Sequence, residues 1–335
     1  MTLNSLINSF LEYSEVEKGH SILTVRNYHQ YLLKFVKFAK EANVEEPGKI
    51  DLELVRKYRL WLNRQPGANK ENLSKATANY YLIALRTFLK YLGSRNIDSL
   101  SPEKIELAKT DERQITFLKD EELDEILEKP NLKTIQGLRD KAILELLFST
   151  GLRVSELCNL KKEDINLEKQ EFSVKGKGGK VRVVFIDENA RESLKQYLST
   201  RRDKSDFLFV SYGHTNKTLT DYGLPTTAKK TAVDSSLSAV SKAGITPRSI
   251  QRMIKKYSLA AGITKDVTPH VLRHSFATDL LMGGADLRSV QALLGHSSVT
   301  TTQIYTHVTD KHLGEVHKAF HGKRRNIKEL DQKES

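Results

Sequence analysis

Four stretches within the first hundred residues repeat apolar side chains at intervals of three and four, and this periodicity constrains the fold most strongly. The stretches span 3–11, 25–39, 54–62 and 82–92. Such intervals place apolar groups on one side of an α-helix, so each stretch predicts an amphipathic helix. Pro-Gly pairs at 47–48 and 66–67 separate the patterns, and Gly93 lies where a helix would end. A small helical bundle is predicted.

The rest of the chain adds a short β-hairpin to further helices. Helical patterns cover 119–127 and 138–148. Alternating apolar residues predict two strands, at Phe172 and Val174 and at Val181, Val183 and Phe185. The glycine-rich segment 176–180 joins them as a hairpin tip, because glycine accepts positive φ. The predicted fold class is mainly α with a small antiparallel β-sheet.

Composition divides the chain into domains. Residues 1–97 form the helical domain, and 98–115, a polar segment with a Ser-Pro pair, reads as a linker. A second domain is predicted over 116–322. Within it, 212–247 is rich in Ser, Thr, Lys and Gly and is interpreted as a polar insertion. Residues 323–335 form a basic and polar tail.

The formal net charge is +12, from 54 Lys and Arg against 42 Asp and Glu. An excess of this size favours a polyanionic partner, because neutralised phosphates release condensed counterions. A solvated surface explains scattered basic residues equally well. If DNA is bound, the candidate phosphate contacts of the first domain are Arg26, Lys34, Lys37, Lys40, Lys75, Arg86 and Lys90.

Cysteine content and hydropathy exclude several classes of protein. Cys158 is the only cysteine, which rules out an intrachain disulfide, and its apolar neighbours indicate a small buried side chain. No stretch approaches the ~18 apolar residues of a membrane helix, and the first residues lack the pattern of a signal peptide. A cytoplasmic protein without a membrane anchor is expected.

The segments that carry chemistry lie mostly near the C-terminus. Thr268 and Pro269 are typical of a helix start, which places His270 and Arg273 on one face near a helix N-terminus, where anions are favoured. Gly295 would end the next helix just before His296, and Tyr305 follows. Without metal-ligand spacing, this set suits in-line attack of a phenol oxygen on a phosphodiester. An earlier segment, 151–157, supplies a second arginine, Arg153.

Each of these residues also has a simpler interpretation. His270 could be a packing or capping histidine, Arg273 could pair with Asp279 or Asp286, and Tyr305 could be a partly buried aromatic residue. The glycine-rich segment 176–180 does not match a phosphate-binding loop, because its spacing differs. The joint occurrence of the residues favours catalysis.

With these segments, the sequence resembles the tyrosine recombinase (phage integrase) family, most closely the Xer-type bacterial recombinases. The matching segments are Ser149–Leu157, Pro269–Thr278 and Gly284–Val308. The resemblance implies an N-terminal helical core-binding (SAM-like) domain followed by a C-terminal tyrosine-recombinase catalytic domain. The insertion at 212–247 is longer than Xer proteins usually carry.

The resemblance also implies a site and a mechanism. The family's six active-site positions fall on Arg153, Lys177, His270, Arg273, His296 and Tyr305, and an accessory acidic position falls on Glu156. Tyr305 would form a 3′-phosphotyrosyl intermediate while the two arginines hold the phosphate. Lys177 would protonate the 5′-oxygen, His270 would take or relay the tyrosine proton, and His296 would bond the phosphate. No metal and no cofactor are expected.

The expected partner is double-stranded DNA, held by a homo- or hetero-tetramer with a related recombinase on two DNA sites. An activating protein is a further partner that the resemblance allows. The expected function is site-specific recombination of the Xer kind, which resolves chromosome dimers in cell division. Alternatives are a mobile-element or phage integrase with the same chemistry, and a DNA-binding protein that does not cleave; the helix sequences argue against a type IB topoisomerase.

Overall fold

The computed structural model of the chain describes residues 2–66, 72–110, 116–176, 179–212 and 244–295. The chain divides into two compact units, 1–113 and 114–335. The first unit holds four α-helices within the described residues. They are α1 (Leu3–Val16), α2 (Ile22–Glu41), α3 (Leu52–Asn63) and α4 (Lys75–Ser94).

Local sequence explains where these four helices begin. Each follows a residue whose side-chain oxygen accepts a bond from a backbone N–H of the first turn, and these N-caps are Thr2, Ser21, Asp51 and Ser74. The apolar stripes then meet in one core rich in aromatic rings, in which Phe10 lies 5.7 Å from Phe88 and 5.6 Å from Tyr91 between ring centroids.

The first unit includes residues that follow its last helix. Leu100 and Ile105 are buried in its core. Asn79 of α4 donates to the Ala108 carbonyl at 2.8 Å and accepts from the Ala108 N–H at 3.0 Å. The first part of the segment interpreted as a linker is thus packed against α4, because its few apolar side chains enter the bundle.

The second unit holds seven α-helices and one hairpin within the described residues. The helices are α5 (Asp120–Glu128), α6 (Ile135–Thr150), α7 (Val154–Asn159), α8 (Glu188–Thr200), α9 (Pro247–Ala260), α10 (Pro269–Met282) and α11 (Leu287–Leu294). The strands are β1 (Glu171–Lys175) and β2 (Val181–Phe185), paired antiparallel with Glu171 opposite Phe185. The predicted fold class, mainly α with a small antiparallel sheet, is confirmed.

Helix α6 lies at the centre of this unit. Almost all of its residues are buried, and it packs against α5, α8 and α10. A small apolar cluster of Ala277, Leu281, Val290 and Leu294 joins α10 to α11. These contacts hold α6, α10 and α11 together. Cys158 is buried, as its apolar neighbours predict, and burial raises its thiol pKa to about 11.

β2 forms where the alternating pattern predicts a strand, but the apolar residues of that pattern do not face the core. Val181, Val183 and Phe185, the apolar residues that predict the strand, are exposed. The inward positions belong to Val184, which is buried, and Arg182. The reason is that the buried carboxylate of Glu156 bonds the Arg182 guanidinium.

Both ends of the segment interpreted as a polar insertion are part of the packed unit. Val210 pairs with Gly244 in an antiparallel bridge, and the Ile245 N–H donates to the Phe209 carbonyl at 3.0 Å. Ile245 is buried and Pro247 opens α9. The part of the insertion at 213–243 lies outside the described residues. None of the described helices is long and apolar enough to span a bilayer.

Candidate active site

The turn between α6 and α7 places the first predicted site arginine. Gly151 ends α6 with φ +57°, and a Cβ there would lie 2.4 Å from Cδ1 of Phe276, so the turn requires glycine for both conformation and space. Arg153 then stands at the N-cap of α7. Because Phe276 belongs to α10, this close approach also brings α10 against the turn.

Helix α10 supplies the second arginine. The helix begins as predicted, with the Thr268 side chain accepting from the Val271 N–H and Pro269 in the first turn. Arg273, one turn later, is buried with 5% exposure. Its Nη1 donates to the Gly151 carbonyl and its Nη2 donates to the Leu294 carbonyl at 2.6 Å. Arg273 therefore bonds backbone carbonyls at the ends of α6 and α11, rather than following the simpler pairings with Asp279 or Asp286.

Three arginines bond three successive carbonyls where α11 ends. Arg182 Nε donates to Leu293 at 3.0 Å, Arg273 Nη2 donates to Leu294, and Arg153 Nη2 donates to Gly295 at 3.0 Å. The last carbonyls of a helix lack partners within the helix and carry partial negative charge. Gly295 closes α11 at φ +63°, as predicted. The end of α11 thus gathers guanidinium groups from three distant segments.

Glu156 organises two of these arginines. One carboxylate oxygen accepts from the Arg153 N–H and the other from Arg153 Nη1, both at 2.9 Å. Arg182 bonds the same two oxygens, at 3.0 and 2.8 Å. Burial opposes the charge of Glu156, but the hydrogen bonds from Arg182 and Arg153 outweigh it and lower the carboxyl pKa to about 2. Glu156 is therefore ionised at neutral pH and lies between two cations.

His270 is an exposed residue of α10 near the arginine cluster, which consists of Arg153, Arg182 and Arg273. Loss of water around its ring, followed by the positive charges of Arg273 and Arg153, lowers its pKa below the ordinary 6.5. The influence of both arginines places His270 within the same electrostatic environment. One turn along α10, burial and then the charges of His270 and Arg273 lower the pKa of His274 to about 4. Both rings are neutral at pH 7, so His270 is able to accept a proton.

The structure brings together Arg153, Glu156, His270 and Arg273. The other three predicted site residues, Lys177, His296 and Tyr305, lie outside the described residues. Gly176 and Gly295, which directly precede Lys177 and His296 in the chain, lie beside Glu156 and Arg153. A Cβ on Gly176 would lie 3.4 Å from a Glu156 oxygen, and Gly295 itself bonds Arg153.

Arg182 is the site residue that sequence interpretation missed. A charged residue within an alternating strand is ordinarily assigned to the solvent face, and here the apolar neighbours reinforced that choice. The available signal is its position in β2, two residues after the glycine-rich segment 176–180 and five residues after Lys177. That signal gives no reason to connect Arg182 with Glu156.

The basic residues of the first unit lie on its surface. On α2, Arg26, Lys37 and Lys40 are exposed, and on α4 so are Lys75 and Lys90, whereas Lys34 and Arg86 are half-buried. Lys34 Nζ also lies 5.0 Å from the ring centroid of Tyr81. Exposed basic residues are therefore carried by both α2 and α4, two helices of the first unit that pack against each other.

Comparison with known proteins confirms the resemblance. The model described as "Phage integrase family" matches residues 116–312, and that described as "Phage integrase, N-terminal SAM-like domain" matches residues 7–96. Tyrosine recombinase XerC of Thermodesulfovibrio yellowstonii is 36% identical over 318 residues, which cover 94% of this chain and 95% of that protein. Tyrosine recombinase XerD of Listeria innocua serovar 6a is 34% identical over 328 residues, covering 95% and 99%.

A solved structure shows the same similarity. The crystal structure of the XerH site-specific recombinase bound to a palindromic difH substrate, a post-cleavage complex, matches with a TM-score of 0.64 and 25% identity. The match covers 93% of this chain and 83% of that chain.

Proposed function

Since the chain belongs to the phage integrase family of tyrosine recombinases, we propose that it is a site-specific DNA recombinase that cuts and rejoins duplex DNA through a 3′-phosphotyrosyl intermediate. One observation carries the proposal: Arg153 and Arg273, distant in sequence, bond adjacent carbonyls at the end of α11, and His270 lies three residues before Arg273 on α10. Two guanidinium groups and a neutral imidazole at one place suit phosphoryl transfer to a side-chain oxygen.

The arginines stabilise charge on the phosphate. During in-line attack, negative charge builds on the non-bridging oxygens, and guanidinium groups bond such oxygens bidentately while staying charged at any working pH. The carbonyls that Arg153 and Arg273 bond in the structure hold these groups in place beforehand. Because arginines neutralise the charge, cleavage is expected to proceed in EDTA.

The remaining roles concern protons and the nucleophile. Tyr305 attacks the phosphorus, the bond to the 5′-oxygen breaks, and Lys177 donates the proton that this oxygen needs. His270 takes the tyrosine proton, which its lowered pKa permits because the ring is neutral at pH 7. His296 donates a hydrogen bond to the phosphate. The phosphotyrosine retains the energy of the phosphodiester, so a 5′-hydroxyl from another strand reverses the step without ATP.

The substrate is double-stranded DNA, bound by a tetramer on two sites. The net charge of +12 and the exposed basic residues of α2 and α4 support DNA binding. Similarity to XerC and XerD over nearly the whole chain favours resolution of chromosome dimers in the cytoplasm, with a related recombinase or an activating protein as further partners.

A suicide substrate tests the proposal. A duplex selected by binding from a random-sequence pool is nicked near the scissile phosphate, so that the cleaved end diffuses away. We expect wild type to form an SDS-resistant protein–DNA adduct in EDTA, and Tyr305→Phe to form none. Tyr13→Phe, in α1 of the first unit, is the matched control and should form the adduct at the wild-type rate.

Three results would contradict the proposal. An adduct that persists in Tyr305→Phe shows that another residue is the nucleophile. Cleavage that requires a divalent metal and leaves no adduct indicates a nuclease. Tight binding to the selected duplex without any cleavage by wild type indicates a DNA-binding protein that does not cut.

A further inference from the structure

Arg182 is an enclosed charged group at the centre of the arginine cluster. Its side chain is 10% exposed, and all three guanidinium nitrogens are bonded. Nη1 and Nη2 donate to the two oxygens of Glu156, and Nε donates to the Leu293 carbonyl. Arg182 thereby joins a carboxylate on α7 to the last turn of α11.

The position of Arg153 depends on the carboxylate that Arg182 holds. Glu156 bonds both the backbone N–H and Nη1 of Arg153. The Glu156 side chain is 5% exposed and has Arg182 as its second cationic partner. If Arg182 lost its guanidinium, Glu156 would keep one cation and gain freedom to rotate, and Arg153 would lose its fixed support.

The ion pair of Arg182 and Glu156 also lies against the two segments that lead to Lys177 and His296. A Cβ on Gly295 would lie 2.9 Å from Cδ of Arg182, so the turn before His296 rests directly on the arginine stem. A Cβ on Gly176, the residue before Lys177 in the hairpin connection, would lie 3.6 Å from Arg182 Nη1. Four segments of the site therefore meet at one ion pair.

We propose that Arg182 is a positioning residue for strand transfer, which aligns Arg153 through Glu156 and fixes the end of α11 without contacting the DNA. This inference rests on the proposed function. A buried ion pair that only stabilises the fold is the alternative, and it predicts no preference for any step of the reaction.

The test measures cleavage rates on two substrates. One is the nicked duplex with an ordinary scissile phosphate, and the other carries a methylphosphonate there, which lacks the negative charge that Arg153 neutralises. The variants are Arg182→Met, which keeps the stem beside Gly295 but removes the guanidinium, and Arg182→Lys, which keeps the charge but not the fork. Arg191→Met is the matched control, since Arg191 forms an ion pair with the exposed Glu188 on the same helix.

We expect Arg182→Met to slow adduct formation on the phosphate substrate by about 10- to 100-fold at saturating DNA, because small misplacement of a catalytic group has effects of this size. Half-saturation by DNA should stay close to wild type. On the methylphosphonate the deficit should shrink to at most a few fold. Arg182→Lys should fall between wild type and Arg182→Met, and Arg191→Met should match wild type on both substrates.

Equal deficits on the two substrates, or a wild-type rate in Arg182→Met, overturn the positioning role. If Arg182→Met is unfolded at the assay temperature, by its melting curve, Arg182→Lys gives the same comparison. Failure of the proposed function is distinguishable, because wild type itself would then form no adduct on the ordinary phosphate.

Discussion

At the scale of single residues, Glu156 shows how a buried charge is maintained in this protein. Taking a carboxylate out of water is unfavourable unless cations and hydrogen bonds replace the water. Arg153 and Arg182 provide both, and together they lower the Glu156 pKa from 4.5 to about 2. Folding is therefore coupled to ionisation of this one group.

Glu156→Gln should remove this coupling. Because the folded-state pKa is lowered, Glu156 stabilises the native state fully above pH 4.5, and this contribution is lost as the pH falls through about 2. We expect the variant to be less stable than wild type at pH 7, by roughly 3 kcal/mol. Urea unfolding between pH 7 and pH 2.5 should show the difference narrowing below pH 4.5.

The matched control is Glu188→Gln, whose exposed carboxylate pairs with the half-buried Arg191 on α8. It should leave the urea midpoint nearly unchanged at every pH, because exposed ion pairs contribute little. A constant difference between wild type and Glu156→Gln across the pH range would contradict the assignment of the lowered pKa to Glu156.

At the level of helices and strands, two glycines within helices differ in the space around them, and the sequence does not show this difference. Gly93 was expected to end its helix, but α4 continues to Ser94 and the left-handed residue is Asn96, at φ +57°. Asparagine adopts this conformation more readily than most residues, so the glycine was not needed for the turn. Gly137, inside α6, lies against the carbonyl of Asn131.

Replacing each glycine by alanine should separate these two cases. Gly93→Ala should stabilise the protein by about 0.5–1 kcal/mol, because nothing lies within 4 Å of the new methyl and alanine favours the helix. Gly137→Ala should destabilise it by about 1–3 kcal/mol, since its Cβ would lie 1.9 Å from the Asn131 oxygen. Urea unfolding measures both. A stabilised Gly137→Ala would show that the loop before α6 yields freely.

At the level of the second unit as a whole, hydrogen bonds hold together the two chain segments that flank residues 213–243. Besides the Val210–Gly244 bridge, Arg139 of α6 donates to the Val210 carbonyl at 3.0 Å and bonds Asp140. Tyr257 of α9 donates to the same carboxylate at 2.9 Å. A buried polar network thus connects α6, α9 and the strand-like segment before residue 213.

Because Val210 and Gly244 are already paired, residues 213–243 should be removable. Joining Tyr212 to Gly244 with a short Gly-Ser linker should leave adduct formation intact. It should raise stability by up to about 2 kcal/mol, because closing a shorter connection costs less chain entropy. Thermal unfolding and the suicide-substrate assay measure the two effects.

The control deletion extends through 245 and so removes the bridge and the buried Ile245. It should be clearly less stable than the first deletion, because it opens the core. If the deletion of 213–243 unfolds the second unit as well, those residues are part of its core and the interpretation as an insertion is wrong.

Local patterns and motifs predict most of the helices, the hairpin and the chemical class of the site. Apolar periodicity, N-cap residues such as Thr268 and turn glycines such as Gly295 act over a few neighbouring residues, so local patterns suffice to predict them. The family resemblance supplied the candidate site, and the roles of all its residues remain predictions; Lys177, His296 and Tyr305 also lie outside the described residues.

Which groups hold that site together depends on packing between distant segments. The inward direction of Arg182, the two cations on Glu156 and the carbonyl partners of Arg273 all involve segments far apart in the chain. The physical reason is that a buried charge takes its orientation from the partner that replaces its water, and that partner is set by packing. Periodicity gives a strand its two faces, but the charge buried behind β2 determined which of them points inward.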